Sequence, residues 1–452
     1  MSDIKDKLRE IMARKGVITG AQWQEKLDEV QRLRAEGAFE IDRVVPGTVV
    51  ENEAGSFYRV RHEFPLDTKH GGIAFGDALH VHPDHVTFTA NDAEHEAYDP
   101  RTCVFMDTET TGISGGSGTV AFLVGVAYFV DDILRLDQCF MRDFDDEEAM
   151  LKYLDELFRR CETVVTFNGK TFDVPLLRTR FIQNRIPFRL DSAIHFDLLH
   201  ASRRIWKRRL RDCSLGSIER NILGVTRHND VPGMEIPQLW LDYIRSRDAR
   251  KLDRVFHHHE YDILSLVTLT AWLSQALDRE NAARTFEHGA DKLSLVEMHY
   301  RQRKYDTVID EARALLDDEL EPEVRCTALE LLGYACKRMK DFDQMQATWE
   351  RMLADFPQRL APRIELAKHH EHRTRNLAEA CKLCEEVLPM LQARAMHPLA
   401  ESNLILSASA LEVRLARIKR KLTRGTAAQD ESETVVDLDD QSELWEGDLQ
   451  DG

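Results

Sequence analysis

Val104-Phe105-Met106-Asp107-Thr108-Glu109-Thr110-Thr111-Gly112 decides how the rest of this 452-residue chain is read. An apolar run leads straight into Asp107 and Glu109, two positions apart. In an extended strand, side chains at i and i+2 lie on one face. Both carboxylates therefore share a face at the end of a buried strand. Like charges placed so closely repel unless a cation compensates them. A hard divalent ion such as Mg2+ is the natural compensator, because it takes carboxylate oxygens. The plain alternative is a pair of exposed loop acids. The apolar residues before them and the Gly-rich turn Gly115-Gly116-Ser117-Gly118 after them argue against it.

Outward from that strand, apolar patterning predicts a series of elements. Thr119–Val130 and Ile133–Met141 read as strands paired across Asp131-Asp132, and Glu147–Arg160 reads as a helix. Thr163–Phe167 is again a strand, Val174–Gln183 a helix, and His195–Leu199 a strand end. Helices fill the remainder to about residue 280. Three strands, a helix, a strand and a helix make an α/β mixed sheet flanked by helices, an order seen in ribonuclease H-like folds.

Two further stretches carry acids. In Thr166-Phe167-Asn168-Gly169-Lys170-Thr171-Phe172-Asp173, a strand ends, Asn-Gly turns the chain, and Asp173 opens a helix. An acid there also serves as a helix cap, a structural role that by itself accounts for it. In His257-His258-His259-Glu260-Tyr261-Asp262, Asp262 opens an apolar helix with a histidine one turn back. Adjacent residues on a helix point in different directions, so the three histidines cannot chelate together there. Four residues turn 400°, about 40° out of register, so His258 shares a face with Asp262; five turn 500°, so His257 points away.

Together these stretches resemble the DEDD superfamily of 3′→5′ exonucleases, and within it the bacterial YprB-like branch. The carriers are DTETTGISGGSGTVAFLVG, TFNGKTFDVPLL, HFDLLHASRRIWKRRLRDCSLGSIE, VPGMEIP and HHHEYDILSL, over about residues 100–270. The resemblance implies that Asp107, Glu109, Asp173 and Asp262 are the four acids that hold two ions, Mg2+ or Mn2+, and that nucleic acid is the substrate. Asp107 would bridge the ions, Glu109 and Asp262 would hold the one that carries the attacking water, and Asp173 would help hold the other. Paired ions of this kind clamp both the attacking and leaving oxygens of a phosphodiester. A histidine near its working pH would take the water's proton; the branch places it at His258, with His257 in reserve. The branch usually has Asn where His259 stands. Asn168, Phe172 and Thr110 would lie near the terminal nucleotide, although turn former and core aromatic are equally good roles for the first two.

The chain is too long for one core. Residues 1 to about 37 read as helix, and Thr48–Val50 and Ser56–Arg61 flank Asn52–Gly55 as a hairpin. Residues 1–100 thus form a small extension ahead of the 101–280 nuclease-like domain. From about 285 to 420 strand signals vanish. Phe342, Met345, Trp349, Met352 and Leu353 recur 35 residues later as Leu377, Ala380, Cys384, Val387 and Leu388, with a looser copy at Tyr305, Val308, Ala312 and Leu315. That period resembles tetratricopeptide helical repeats, a module for a protein partner; a generic helical bundle is the alternative. Residues 421–452 read as an acidic, disordered tail.

The net charge of −18 argues against a nucleic-acid partner, but ten acids fall after Gly425 with no Lys or Arg, and setting them aside leaves −8. Arg203–Arg211 holds six bases around Trp206. Arg203, Lys207 and Trp206 would suit phosphate contact and base stacking, or simply form a solvated helix. The longest apolar run, Val120–Val130, is eleven residues, short of the roughly 20 that a membrane helix needs. Eight scattered cysteines make no disulfide framework, and with no visible secretory signal the expected compartment is the cytoplasm. The competing functions are a catalytically inactive nucleic-acid-binding scaffold and a structure-specific endonuclease. A scaffold has no need of four carboxylates.

Overall fold

The computed structural model describes residues 28–112 except 30 and 34, then 118–278, 286–395 and 402–425. Most of the expected N-terminal helix, the middle of the Gly-rich turn and the tail beyond Gly425 lie outside the described residues. Two compact units meet at Phe286/Glu287.

The first unit is built on a seven-stranded sheet, order β1-β2-β7-β6-β5-β8-β9. The strands are β1 (Thr48–Asn52), β2 (Gly55–Pro65), β5 (Cys103–Thr110), β6 (Ala121–Val130), β7 (Ile133–Phe140), β8 (Thr163–Thr166) and β9 (Ile194–Asp197); β3 (Lys69–His70) and β4 (Ile73–Ala74) make a separate pair. β5 is antiparallel to β6 but parallel to β8, and β8 is parallel to β9, so the sheet is mixed. Helices α1 (Pro83–Ala90), α2 (Glu147–Phe158), α3 (Asp173–Gln183), α4 (Leu198–Trp206), α5 (Ile236–Ser246) and α6 (Leu252–Leu277) pack around it.

The described hairpin of the expected 1–100 extension does not stand apart from the central sheet. β2 is eleven residues long and pairs with β7 from Tyr58 opposite Phe140 to Pro65 opposite Ile133. Phe57, Tyr58 and Val60 are buried in the same core as β6, and Arg61 grips the fully buried Asp137 at 2.6 and 2.8 Å. Burial of those aromatic faces, at about 25 cal/mol per Å2 of apolar area, ties the hairpin to the central sheet.

A second correction concerns α6. Asp262 does not open it; the helix begins at Leu252 and Asp262 lies in its third turn. Leu252, Val255 and Phe256 are buried and continue the apolar stripe of Ile263 and Leu266 one helical repeat earlier. The polar run from His257 to Asp262 interrupts that stripe without ending the helix. α6 crosses the sheet closely at Gly125, where a Cβ would lie 2.0 Å from Cδ1 of Ile263 and 2.4 Å from Cε1 of His259. Gly125 is the partner of Asp107 in the β5–β6 register, so this close approach brings α6 to the carboxylate-bearing end of β5.

The second unit is helical: α7 (Gly289–Arg301), α8 (Tyr305–Leu316), α9 (Pro322–Arg338), α10 (Phe342–Asp355), α11 (Ala361–His372), α12 (Leu377–Ala395) and α13 (Ser402–Gly425). Tyr305, Phe342 and Leu377, the first residue of each sequence copy, each open a helix. The periodic positions Val308, Ala312, Met345, Trp349, Ala380 and Cys384 are buried. Gly333 lets the Trp349 ring sit against the α9 backbone, since a Cβ there would meet it at 2.6 Å. Lys421–Gly425 belong to α13 rather than to a disordered tail. Arg414, Arg417 and Lys421 all donate to the fully buried Glu371, which holds that end of the helix down. No described helix in either unit is long and apolar enough to cross a membrane.

Candidate active site

β5 is buried over Cys103–Met106 and half-buried over Asp107–Thr110, so its carboxylates emerge where the core ends. Asp107 and Glu109 come from this strand, Asp173 from the first turn of α3, and His258 and Asp262 from successive turns of α6. The four-residue helical spacing puts His258 Nε2 3.2 Å from Asp262 Oδ2, and the same nitrogen is 3.9 Å from Glu109 Oε1. Donor atoms of Glu109, His258 and Asp262 all lie within 4.8 Å of one another. His257 points elsewhere: it is half exposed, its ring packs edge-on against Tyr261 with centroids 4.5 Å apart, and its Nδ1 is 3.9 Å from Glu260.

Phe172 takes the N-cap position of α3 and Asp173 is its first residue. Thr108, between the two acids of β5, donates its hydroxyl to Asp173 Oδ1. Asn168 is the turn former that the Asn-Gly pair suggests, at φ +69°, a conformation Asn tolerates better than most residues. Gly169 follows because a Cβ there would meet Thr166 Oγ1 at 2.5 Å. Asp197 clamps this turn by accepting the N–H of Asn168 at 2.8 Å and of Lys170 at 3.0 Å, while also capping α4 through the N–H of Leu199. His195 bonds Thr166 Oγ1 at 2.8 Å, and burial lowers its pKa to about 4.

The electrostatics follow from crowding. Burial and then the neighbouring charges of Asp173, Asp262 and Glu109 raise the carboxyl of Asp107 well above its usual range. Glu109 is raised likewise by burial and by Asp262 and Asp173. Asp173 is pushed up to about 6, chiefly by burial, against the Thr108 hydrogen bond. A cluster whose acids resist ionising is one that a divalent cation would relieve. The donor set, carboxylates with one imidazole, suits Mg2+ or Mn2+.

Sequence patterning did not single out Arg227, Glu219 and Asp230. Arg227 is pinned by Glu219 at 2.5 and 2.7 Å and donates to Asp262 Oδ1. Asp230 Oδ1 sits 2.8 Å from His258 Nδ1. Arg227 and Asp230 lie in a connecting segment with no periodicity and Glu219 opens a short helical turn, Glu219–Leu223, so local patterning gave no sign of their pairing. His259, where the branch carries Asn, is fully buried. Its Nε2 is 3.1 Å from the Asp107 carbonyl and its Nδ1 3.1 Å from the Gln138 amide. Burial lowers its pKa to about 4, so it is a neutral strut between α6 and the sheet.

Of the expected substrate contacts, Phe172 is 47% exposed beside Asp173, and Thr110 bonds the Gly112 carbonyl at 3.0 Å. Arg203 and Lys207 are exposed on and just past α4. Trp206 corrects the stacking expectation: it is fully buried, with its ring 5.3 Å from that of Trp272. The helical period sorts the run. Arg203 and Lys207 share the outer face, whereas Trp206 falls with Ile205 and Ser202 on the inner one.

This site sits within residues 104–274, which match the RNase_H superfamily; the first unit is a ribonuclease H-like, nuclease-like domain. The chain is 31% identical to the uncharacterized protein YprB of Bacillus subtilis over 369 residues, 79% of this chain and 84% of that protein. It belongs to the YprB family. Among solved structures, the family B DNA polymerase of the archaeon Pyrobaculum calidifontis overlaps 44% of this chain and 29% of its own, at 14% identity and a TM-score of 0.29.

Proposed function

We propose that the first unit is a divalent-metal-dependent nuclease acting on a DNA or RNA strand, with 3′→5′ exonuclease polarity. The observation that carries this reading is the convergence of Glu109, His258 and Asp262 from two distant elements, with Asp107 and Asp173 alongside. Two cations bound there would neutralise the acids and polarise the scissile phosphate. Asp107, Glu109, Asp173 and Asp262 would hold them. His258 Nε2 faces the cluster and would accept the proton of the attacking water. Phe172, exposed at the rim, would stack on the terminal base, with Asn168 and Thr110 flanking it and Arg203 and Lys207 meeting the strand's phosphates. The helices of the second unit would serve as tetratricopeptide-like repeats that bind a protein partner, a reading supported by the burial of their periodic positions.

The test is purified protein with Mn2+ or Mg2+ on 5′-end-labelled single-stranded DNA and RNA. A ladder descending from the 3′ end, absent in EDTA and in Asp107→Ala, is expected. Full activity in either control refutes the reading.

A further inference from the structure

The five residues that resemblance assigns to the chemistry do not hold their own orientation. Asp262 could turn either carboxylate oxygen toward Glu109, and the His258 ring could flip. Both are held by charged residues from elsewhere in the chain. Glu219, only 1% exposed, receives Arg227 through two nitrogens, at 2.5 and 2.7 Å, and is further fixed by the Ser265 hydroxyl at 2.5 Å. Ser265 is itself 2.8 Å from His70 Nε2. Arg227 then donates to Oδ1 of Asp262, leaving Oδ2 to face His258 Nε2 at 3.2 Å. On the other side, Asp230 Oδ1 lies 2.8 Å from His258 Nδ1. Arg227 Nη1 is 3.3 Å from that same nitrogen, and a guanidinium only donates. The shorter contact to an ionised acceptor decides for Nδ1–H, which leaves the Nε2 lone pair directed at the cluster.

We infer that Glu219, Arg227 and Asp230 are positioning residues: a charged brace that holds the Asp262 carboxylate and Nε2 of His258 in the cluster with Glu109, and keeps them there before any cation arrives. The inference rests on the proposed nuclease reading and extends it from the acids to a segment, Glu219–Asp230, outside them. Its sign separates it from a simple counter-charge role. A guanidinium that merely balances the acids competes with a cation for them, so removing it would tighten metal binding. A guanidinium that orients Asp262 works for the metal, so removing it weakens binding, as loss of outer-sphere partners does by about 10–100-fold.

The experiment measures Mn2+ affinity of the full chain by electron paramagnetic resonance titration, with kcat and KM on an end-labelled strand. Arg227→Met should weaken Mn2+ binding by about 10–100-fold. Arg227→Lys should recover little of it, because a single ammonium cannot bond Glu219 through a fork and reach Asp262 together. Arg227→Met leaves Glu219 buried without its guanidinium, so Asp230 supplies a second arm that stands should that variant fail to fold. Asp230→Ala should lower kcat with KM unchanged and the melting temperature within a few degrees of wild type. Asp230→Asn, which still accepts Nδ1–H, should restore most of the loss. Mn2+ affinity in Arg227→Met equal to or tighter than wild type, or wild-type kcat in Asp230→Ala, overturns the brace while leaving the nuclease reading standing. A wild-type chain that neither binds Mn2+ nor cleaves the strand fails at the nuclease reading, and the brace falls with it.

Discussion

Gly125→Ala adds one methyl group at the point where α6 meets the sheet. Its Cβ would lie 2.0 Å from Cδ1 of Ile263 and 2.4 Å from Cε1 of His259. Ordinary carbon contacts begin near 3.5 Å, so something must retreat by about 1 Å or more. Ile263 is fully buried in the core between α6 and the sheet. His259 is held at both ring nitrogens, by the Asp107 carbonyl and by Gln138. The compliant element is α6 itself, which also carries His258 and Asp262. Overpacking of this kind costs about 1–3 kcal/mol. At about 2–4 °C per kcal/mol for a unit of this size, melting should fall by roughly 2–12 °C. Displacing the two site residues by about 1 Å should cost about 10²-fold in rate. The assay pairs thermal unfolding in EDTA with initial rates on an end-labelled strand in saturating Mn2+. Gly125→Ala/Ile263→Ala, which removes the nearer clash, should melt higher than the two single changes summed. A Gly125→Ala protein with wild-type melting and rate would refute the close-approach argument.

Asp107→Asn should abolish cleavage yet stabilise the metal-free protein. The folded carboxyl is raised, so the folded state holds a proton that the unfolded chain releases near pH 4, and wild type loses stability as pH climbs through the folded value. The variant's advantage in urea midpoint, measured in EDTA, should therefore be small at pH 4.5 and grow toward pH 7.5; an advantage that shrinks with pH contradicts the assignment. His258→Ala should lose roughly 10²–10⁴ in rate and His257→Ala little, measured at saturating metal; the reverse pattern moves the base to the exposed ring. Residues 1–286 expressed alone should stay soluble and keep the cleavage activity, and removal of the acidic tail beyond Gly425 should leave the rate unchanged; aggregation of the fragment in every preparation would mean that the two units share a core.

Local periodicity determined a good deal. The alternation of a strand put Asp107 and Glu109 on one face, the 3.6-residue turn chose His258 over His257 as Asp262's neighbour, and the Asn-Gly pair marked the turn ahead of Asp173. Each of these depends on residues within about five positions, so no long-range contact was needed to read it. Where patterning misled, a distant partner decided. Asp262 read as a helix start because a polar run precedes it, but the buried stripe of Leu252, Val255 and Phe256 packs on the core and carries α6 ten residues further back. Trp206 read as a stacker among six bases, yet its apolar ring is buried against Trp272. The hairpin of β1 and β2 was legible as a hairpin, but its attachment to β7, from Tyr58 opposite Phe140 to Pro65 opposite Ile133, was not. The charged brace depends most on tertiary structure. Glu219 closes a stretch quoted only for its resemblance, and Arg227 and Asp230 belong to no motif; the three act together only because folding brings their charges beside Asp262 and His258, where a paired charge is stable and an unpaired one is costly.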